Sequence, residues 1–443
     1  MSQLFRTTGC AIFAFSALQA NAGQAFQYGD LSGTWELAAG AVSINTHGVN
    51  FGTGRVDYRT GENDGNRISW QEFYIKPGFT LSYPLSPDFQ LLGGASLMAT
   101  TTLGDGDAGG YTRSSDGTTH WEEGYVGFKT GDWKFTAGRQ NFQIGNGFIV
   151  MDGNIDALGK GGYWMGARTA FQDSAIVDWS HEAVRAQVFT LRSEDDLSGD
   201  YRMTGVNLDV DMAGQGILGA TAMQVDSEVG RSEELVPRDG MKVYDIRALG
   251  VKVPGLPALT LDGEYAMQRG SGRGGVEHDA KAWYLQGDYA IDLLPVPVNL
   301  GYRYLTYSGD DDPSDNKARA WDPLSKGFSG WSTWLVGDVV GNYLLFSSNE
   351  RVHQYSVKTQ FNDQLTVGAI HYQFWLDEDN FYGTPVSDKR FADESVIYLD
   401  WTPSAQWYAS LSYSWVNAKS AAKEVFGDDQ GFNALELYVL YHF

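Results

Sequence analysis

The sequence predicts an all-β fold, a transmembrane antiparallel β-barrel of about 18 strands, from three observations. Short segments along the whole chain alternate apolar and polar residues, as strands between lipid and a lumen do. The joints between these segments alternate between tight turns and long loops. Gly (54) and aromatic residues (14%) are frequent. The mean hydropathy of −0.31 is uninformative, because lipid-facing residues occupy only every second position.

The final segment, residues 432–443, shows this alternation most clearly. One parity is apolar and consists of Leu435, Leu437, Val439, Tyr441 and Phe443. We expect this row to face lipid and the strand to close the barrel against the first one, pairing with Trp35, Leu37 and Ala39. A strand of an ordinary β-sandwich is the alternative for this stretch taken alone.

The first 22 residues have the pattern of a secretory signal peptide. Arg6 supplies a positive charge, residues 11–18 are apolar, and Ala20-Asn21-Ala22 is a small-x-small cleavage site. We therefore predict cleavage after Ala22, a single barrel domain over residues 23–443, and a location in the outer membrane of a Gram-negative bacterium. The only cysteine, Cys10, lies in this segment, so the mature chain is predicted to have no disulfide.

Eighteen predicted strands follow in pairs, each pair separated from the next by a tight turn and spanned by a longer loop. They are residues 34–42, 68–83, 89–103, 121–130, 133–142, 169–180, 184–192, 203–212, 217–226, 241–253, 259–269, 281–292, 298–307, 352–361, 365–376, 395–401, 407–416 and 432–443. Short periplasmic turns and long extracellular loops are typical of outer-membrane barrels. A sandwich has no reason to sort its connections in this way.

Charged residues on the polar parity are expected to line a water-filled lumen, which a barrel of this size can hold. The residues predicted to line the pore and set its selectivity are Arg139, Arg168, Arg185, Arg303, Lys134, Lys358, Asp262, Glu264, Asp288, Asp400 and Glu436. The alternative is that many of them pair across strands and only hold the wall together.

Residues 144–168 are too apolar for a solvated outer loop. We expect this segment to fold into the barrel and narrow the pore, because that would bury its apolar side chains. Its predicted constriction residues are Phe148, Met151, Asp152, Asp156 and Lys160. An extended hairpin above the membrane is the alternative.

The longest loop, residues 308–349, joins an acidic tip to an aromatic tract. The spacing of its aspartates resembles the start of a calcium loop, but the twelfth residue from Asp310 is Trp321 and not the required glutamate. No metal site is predicted there. The aromatic tract could stack against sugar rings or pack the loop as a lid.

The segment GRQNFQIGNGFIVMDGN (residues 138–154), followed by residues 166–171, is similar to the alginate-export family. Residues 321–324 and 327–331 share that resemblance. It implies an eighteen-stranded outer-membrane barrel that passes an anionic polysaccharide through an arginine-rich lumen. The chain matches this pattern at Arg139 and Arg168, whereas its other inward charges lean acidic.

Together these features predict a channel for passive transport of small hydrophilic solutes or oligosaccharides through a loop-constricted lumen. Export of an anionic polysaccharide such as alginate is the first alternative. An outer-membrane hydrolase is the second, although the seven histidines are scattered and no Gly-x-Ser-x-Gly occurs. No enzyme activity, cofactor or metal is predicted.

The expected partners are outer-membrane lipid, lipopolysaccharide and the solute or saccharide. The net charge of −23 argues against nucleic acid. Monomer and trimer remain open.

Overall fold

The computed structural model describes residues 23–155, 158–197, 199–227, 237–292, 295–312, 314–327 and 336–443. The predicted signal peptide, residues 1–22, lies outside this part of the chain, as does Asp156 of the predicted constriction.

Eighteen antiparallel strands form a closed barrel, which confirms the predicted fold class and strand number. In chain order, β1 to β18 are Leu31–His47, Arg67–Ser86, Phe89–Gly104, Gly117–Thr130, Trp133–Gln140, Phe171–His181, Val184–Arg192, Tyr201–Asp211, Ile217–Ser227, Met241–Val253, Leu256–Ser271, Glu277–Ile291, Val298–Tyr307, Glu350–Asn362, Leu365–Leu376, Arg390–Ser404, Trp407–Ala418 and Phe432–His442. Among the described residues, no helix is both long enough and apolar enough to cross a membrane.

The barrel closes between β1 and β18. Ala39 pairs with Tyr441, and Leu37 exchanges two backbone hydrogen bonds of 2.9 Å with Phe443. The predicted pairing of Trp35 with β18 is wrong. Trp35 pairs with Gln24 of a short strand, Gln24–Tyr28, because β18 ends level with Leu37 and leaves the start of β1 to a different partner.

Many strands are longer than the sequence predicts. The first was expected over residues 34–42, but β1 runs from Leu31 to His47. The cause is a change of pattern within the strand. At its end near the long loops the apolar residues Val42 and Ile44 point into the barrel and are buried, and the polar residue Asn45 takes the exposed side.

The same inversion occurs in neighbouring strands and builds an apolar core inside the upper barrel. On β2, Ile68 and Trp70 face inward and are fully buried. On β18 the outer row stays apolar: Leu435 and Leu437 are exposed on the outer face, and Glu436, which pairs with Ile44 of β1, is buried inside. Loops that fold into the barrel supply the partners of this inner core.

Candidate functional site

Two loops fold into the barrel and meet there. The first lumen loop, residues 141–170, joins β5 to β6, and the second lumen loop, residues 308–349, joins β13 to β14. The backbone N–H groups of Met151 and Asp152 donate to the Ser325 carbonyl at 2.8 and 3.0 Å. The N–H of Gly327 donates to the carbonyl of Gly147 at 2.8 Å. The two loops are therefore one hydrogen-bonded unit within the lumen.

Phe148 fixes the tip of the first lumen loop against the far wall. Its ring centroid lies 5.3 Å from that of Tyr284 on β12 and 5.8 Å from that of Tyr307 on β13. Trp321 of the second lumen loop stacks on the same ring at 6.4 Å. Since β12 and β13 lie several strands away from β5 and β6, the first lumen loop crosses the lumen.

A compact charge cluster lies where the first lumen loop leaves β5 and returns to β6. Glu194 contacts Arg139 at 2.5 Å and Lys160 at 2.9 Å. Arg168 contacts Glu122 at 3.1 Å and Glu194 at 3.5 Å. Burial alone would raise the pKa of Glu194, but the hydrogen bonds from Lys160 and Arg139 outweigh it and lower that pKa to about 2. Lys160 also contacts Asp196 at 3.1 Å, so each cationic group of this cluster has a carboxylate partner.

The two loops and the wall enclose a cavity of about 590 Å³. Of the residues predicted from sequence, Met151, Asp152 and Arg168 line it. Its aromatic lining consists of Tyr74, Phe142, Tyr163, Trp164, Tyr307, Tyr343, Phe346, Tyr408 and Tyr438. The cavity is thus rich in rings, with a few charged groups among them.

Lys326 of the second lumen loop is a cationic group of this lining. Its Nζ donates to Asn342 Oδ1 at 2.6 Å and to Ser347 Oγ at 2.8 Å. It also lies 5.1 Å from the centre of the Phe346 ring. Burial lowers the pKa of Lys326 to about 8, although Glu350 and Asp152 pull it upward.

Asp338, in the helix Gly337–Leu344 of the second lumen loop, brings a carboxyl group to the same cavity. Burial and the neighbouring Glu436 carboxyl raise the pKa of Asp338 well above its ordinary value. The cavity therefore has an acidic side at Asp338 and a basic group at Lys326.

The other predicted pore residues occupy inward positions on the wall but do not line this cavity. They are Lys134, Arg185, Asp262, Glu264, Asp288, Arg303, Lys358, Asp400 and Glu436. Arg185 pairs with Asp178, which is also the cross-strand neighbour of Lys134. These three charges lie near the short-turn end of the barrel, away from the lumen loops.

Two of these wall residues, Arg303 and Asp400, form hydrogen bonds with neutral side chains. Arg303 donates to Gln286 at 2.8 Å and to Gln354 at 2.7 Å. Asp400 accepts hydrogen bonds from Tyr408 at 2.9 Å and from Ser410 at 2.7 Å. The structure thus distributes the predicted set over the wall instead of bringing it to one place.

Sequence reasoning missed Glu122 and Glu123, which both face the lumen. Adjacent strand residues normally point to opposite faces, so a pair of glutamates suggests one inside and one outside. Here Ser96 pairs with Glu123 and Leu97 with Trp121, which leaves Glu122 as the extra residue of a β-bulge. Lys326 and Asp338 were missed because they lie in a loop, where alternation gives no signal.

No family model matches the chain, and no curated protein matches it. The resemblance of residues 138–154 to the alginate-export family therefore gains no specific support. Among the described residues, no group of three or more His, Cys, Asp or Glu side chains is placed to hold a metal ion.

Solved structures do match. OccAB4 of Acinetobacter baumannii aligns with a TM-score of 0.60 at 11% identity, covering 93% of this chain and 98% of its own. OpdQ of Pseudomonas aeruginosa aligns at 0.59 and 10% identity, covering 94% and 98%. OpdK of the same organism, in a structure with vanillate, aligns at 0.59 and 13% identity, covering 93% and 98%. The chain therefore has the 18-strand barrel fold of outer-membrane porins.

Proposed function

We propose that this chain is an outer-membrane channel for passive diffusion of small hydrophilic solutes through a lumen narrowed by two loops. The observation that carries the proposal is the cavity of about 590 Å³ between those loops and the wall. A barrel of 18 strands without inward loops would leave a wide aqueous channel. Loops packed inside it restrict passage to solutes of about the size that small-molecule pockets hold.

The cavity lining favours a solute that carries a ring and an anionic group. Tyr74, Tyr408 and Tyr438 offer ring faces and hydroxyl groups. The Lys326 ammonium has three N–H donors, of which Asn342 and Ser347 accept two. A carboxylate can accept the third. Vanillate, the molecule named with OpdK, has this combination of ring and carboxylate and is the first solute to test.

An export channel for alginate is the weaker candidate. The arginines that match the alginate-export pattern, Arg139 and Arg168, contact Glu194 and Glu122, so their charge is compensated within the protein. A polyanion passing through an arginine-rich lumen would need cationic groups without such carboxylate partners. The similar structures reported above are porins, and on that ground we infer a channel and not a hydrolase.

The outer face supports a location in the lipid of a Gram-negative outer membrane. Its exposed apolar row on β18, Leu435 and Leu437, continues on β17 with Leu411 and Tyr413. Trp407 and Trp401 lie near the short turn between β16 and β17, where an interfacial ring of aromatic residues is expected. Association into trimers and contact with lipopolysaccharide remain proposals.

Single-channel recording in planar bilayers tests the function. We expect the full-length protein to give discrete conductance steps and a variant lacking residues 147–162 to give larger ones. Addition of vanillate should produce brief blockades of the current. Failure of the purified, heat-modifiable barrel to conduct any ion would refute the channel, and an unchanged conductance after the deletion would refute the loop constriction.

A further inference from the structure

Three glutamates on the barrel wall share an unusual environment. Glu72 on β2, Glu122 on β4 and Glu394 on β16 all point into the barrel and are completely buried. Each one accepts backbone N–H groups from a lumen loop. Burying a carboxylate is costly unless hydrogen bonds or an opposite charge compensate it.

Glu72 holds the returning half of the first lumen loop. Its Oε1 accepts the N–H of Trp164 at 3.2 Å, and its Oε2 accepts the N–H of Met165 at 2.7 Å. These two hydrogen bonds favour the ionised form of the Glu72 carboxyl against the effect of its burial. Trp164 also packs edge-on against Trp70, two residues from Glu72 on the same strand, with centroids 5.5 Å apart.

Glu122 holds the last residues of the same loop. Its Oε1 accepts the N–H groups of Thr169 and Ala170, both at 2.9 Å. Its Oε2 accepts Arg168 Nε at 3.1 Å. The bulge that turns Glu122 into the barrel therefore places both carboxylate oxygens on consecutive residues of the loop.

Glu394 holds the second lumen loop at the start of the helix Gly337–Leu344. Its Oε1 accepts the N–H of Asp338 at 2.9 Å, and its Oε2 accepts the N–H of Val340 at 2.8 Å. Gly337 has φ of +83°, and a Cβ there would lie 3.0 Å from Glu394 Oε2. The approach of the helix to the carboxylate is therefore close enough to require glycine.

Glutamine cannot replace these glutamates, although it has the same shape. In all three cases both carboxylate oxygens accept a hydrogen bond. Glutamine offers one acceptor oxygen. Its NH₂ group would face a backbone N–H in the case of Glu72 and Glu394, and the Arg168 guanidinium in the case of Glu122, donor against donor. The donor that faces the NH₂ group would then be buried without a partner, which costs free energy.

We propose that Glu72, Glu122 and Glu394 are positioning residues that fix both lumen loops to the wall and thereby set the width of the channel. The expected change in conductance rests on the proposed function. The docking of the loops can be tested without conduction.

The test uses the full-length barrel with Glu72→Gln, Glu122→Gln and Glu394→Gln, one at a time, and two measurements. Trypsin cleavage is followed by mass spectrometry at Lys160 in the first lumen loop and at Lys326 in the second. Each lost hydrogen bond to a charged group should raise the released fraction of the loop, and so the cleavage rate, about 10- to 100-fold. Glu72→Gln and Glu122→Gln should act at Lys160, and Glu394→Gln at Lys326. Open-channel conductance should rise in each variant.

Glu350→Gln is the matched control. Glu350 is also a completely buried wall glutamate, but neither of its carboxyl oxygens has a hydrogen-bond partner in the described part of the chain. Cleavage at Lys160 should stay at the wild-type level. Because Glu350 also acts on the charge of Lys326, cleavage at Lys326 and the conductance are not part of this control. Glu72→Asp, which keeps two acceptor oxygens one methylene further away, should give an intermediate cleavage rate and serves if Glu72→Gln does not fold.

The outcomes separate the two proposals. Wild-type rates of cleavage in all three glutamine variants would overturn the positioning role, whether or not the barrel conducts. Faster cleavage in a barrel that conducts no ion would support the positioning role and refute the proposed function. Equal acceleration in Glu350→Gln would show a general effect of removing a buried charge and would also overturn the inference.

Discussion

Lys326 should make the ion selectivity of the channel depend on pH between 6 and 9. Burial lowers its pKa to about 8, and its ammonium lies in the lining of the cavity between the lumen loops. With that pKa, about 99% of the lysine is charged at pH 6 and about 9% at pH 9. Because deprotonation removes a positive charge, anion preference should fall as the pH rises.

The size of the effect follows from Coulomb's law. A unit charge about 6 Å from a permeating ion contributes roughly 0.7–3 kcal/mol at effective dielectric constants between 80 and 20. That corresponds to about a 3- to 100-fold change in the local concentration of an anion, with an opposite change for a cation. Salt screens the interaction, so the change should be largest at low ionic strength.

Reversal potentials in a KCl gradient at pH 6 and pH 9 measure this change. Wild type should shift toward cation preference at pH 9, whereas Lys326→Met should show the pH 9 value at both pH values. Lys317→Met, at the exposed tip of the same loop, is the control and should titrate as wild type does. Full pH dependence in Lys326→Met, or none in wild type, would refute Lys326 as the titrating group.

Three further outcomes are expected. Phe148→Ala removes the ring that packs on Tyr284 and Tyr307 and should cost about 3–5 kcal/mol. The loop tip should then be released, which would be measured as faster backbone hydrogen exchange in the first lumen loop. The outward-facing Phe361→Ala is the control, and equal exchange in both variants would contradict this prediction. Asp322→Asn breaks the buried ion pair with Arg238 at 2.6 Å. The second lumen loop should lose about 3–5 kcal/mol of docking free energy and become sensitive to protease while the barrel stays folded. An unchanged proteolytic digest would contradict this prediction. Glu194→Gln leaves Arg139 without its carboxylate, while Lys160 keeps Asp196 at 3.1 Å. The variant should therefore increase anion preference in reversal-potential measurements. The pKa of Glu194 is lowered to about 2. Its ion pairs therefore stabilise the cluster fully above the ordinary carboxyl pKa, and this stabilisation is lost only as the pH falls toward 2. An acid transition of the cluster near pH 4.5 would contradict the ion pairing of Glu194.

Sequence alone predicted the barrel because its two signals are physical consequences of the membrane. Residues such as Leu435, Leu437 and Tyr441 must face lipid, and every strand must pair on both sides, so alternation and regular joints follow. The pairing of β18 with β1 at Leu37 and Ala39 was predictable for that reason, although its register was not. The partner of Trp35 was not predictable, because the sequence of β18 does not show at which residue of β1 the pairing of the two strands ends.

The site was less predictable because it depends on contacts between loops. Glu122 looks like an outward or inward residue depending on a bulge that the pattern does not reveal. Arg139 and Arg168 look like solute ligands until Glu194 and Glu122 are seen beside them. Lys326 and Asp338 reach the cavity only because the second lumen loop folds inward, and loop direction has no periodic signature in the chain.

The reversal of polarity along single strands has a consequence for how the protein tolerates substitution. On β1, a charge at Val42 or Ile44 would enter a dry interior, whereas a charge at Asn45 would meet water. Toward the membrane, charged residues are tolerated on the inner face and not on the outer face. The outward residues Leu37 and Ala39 must stay apolar, and the inward position 36 already carries a glutamate. Side chains of one continuous strand therefore meet three environments: the dry interior, water and lipid. Along β1, the face that tolerates charged substitutions should change from the inner face to the outer face. The position of that change would locate the membrane boundary in living cells.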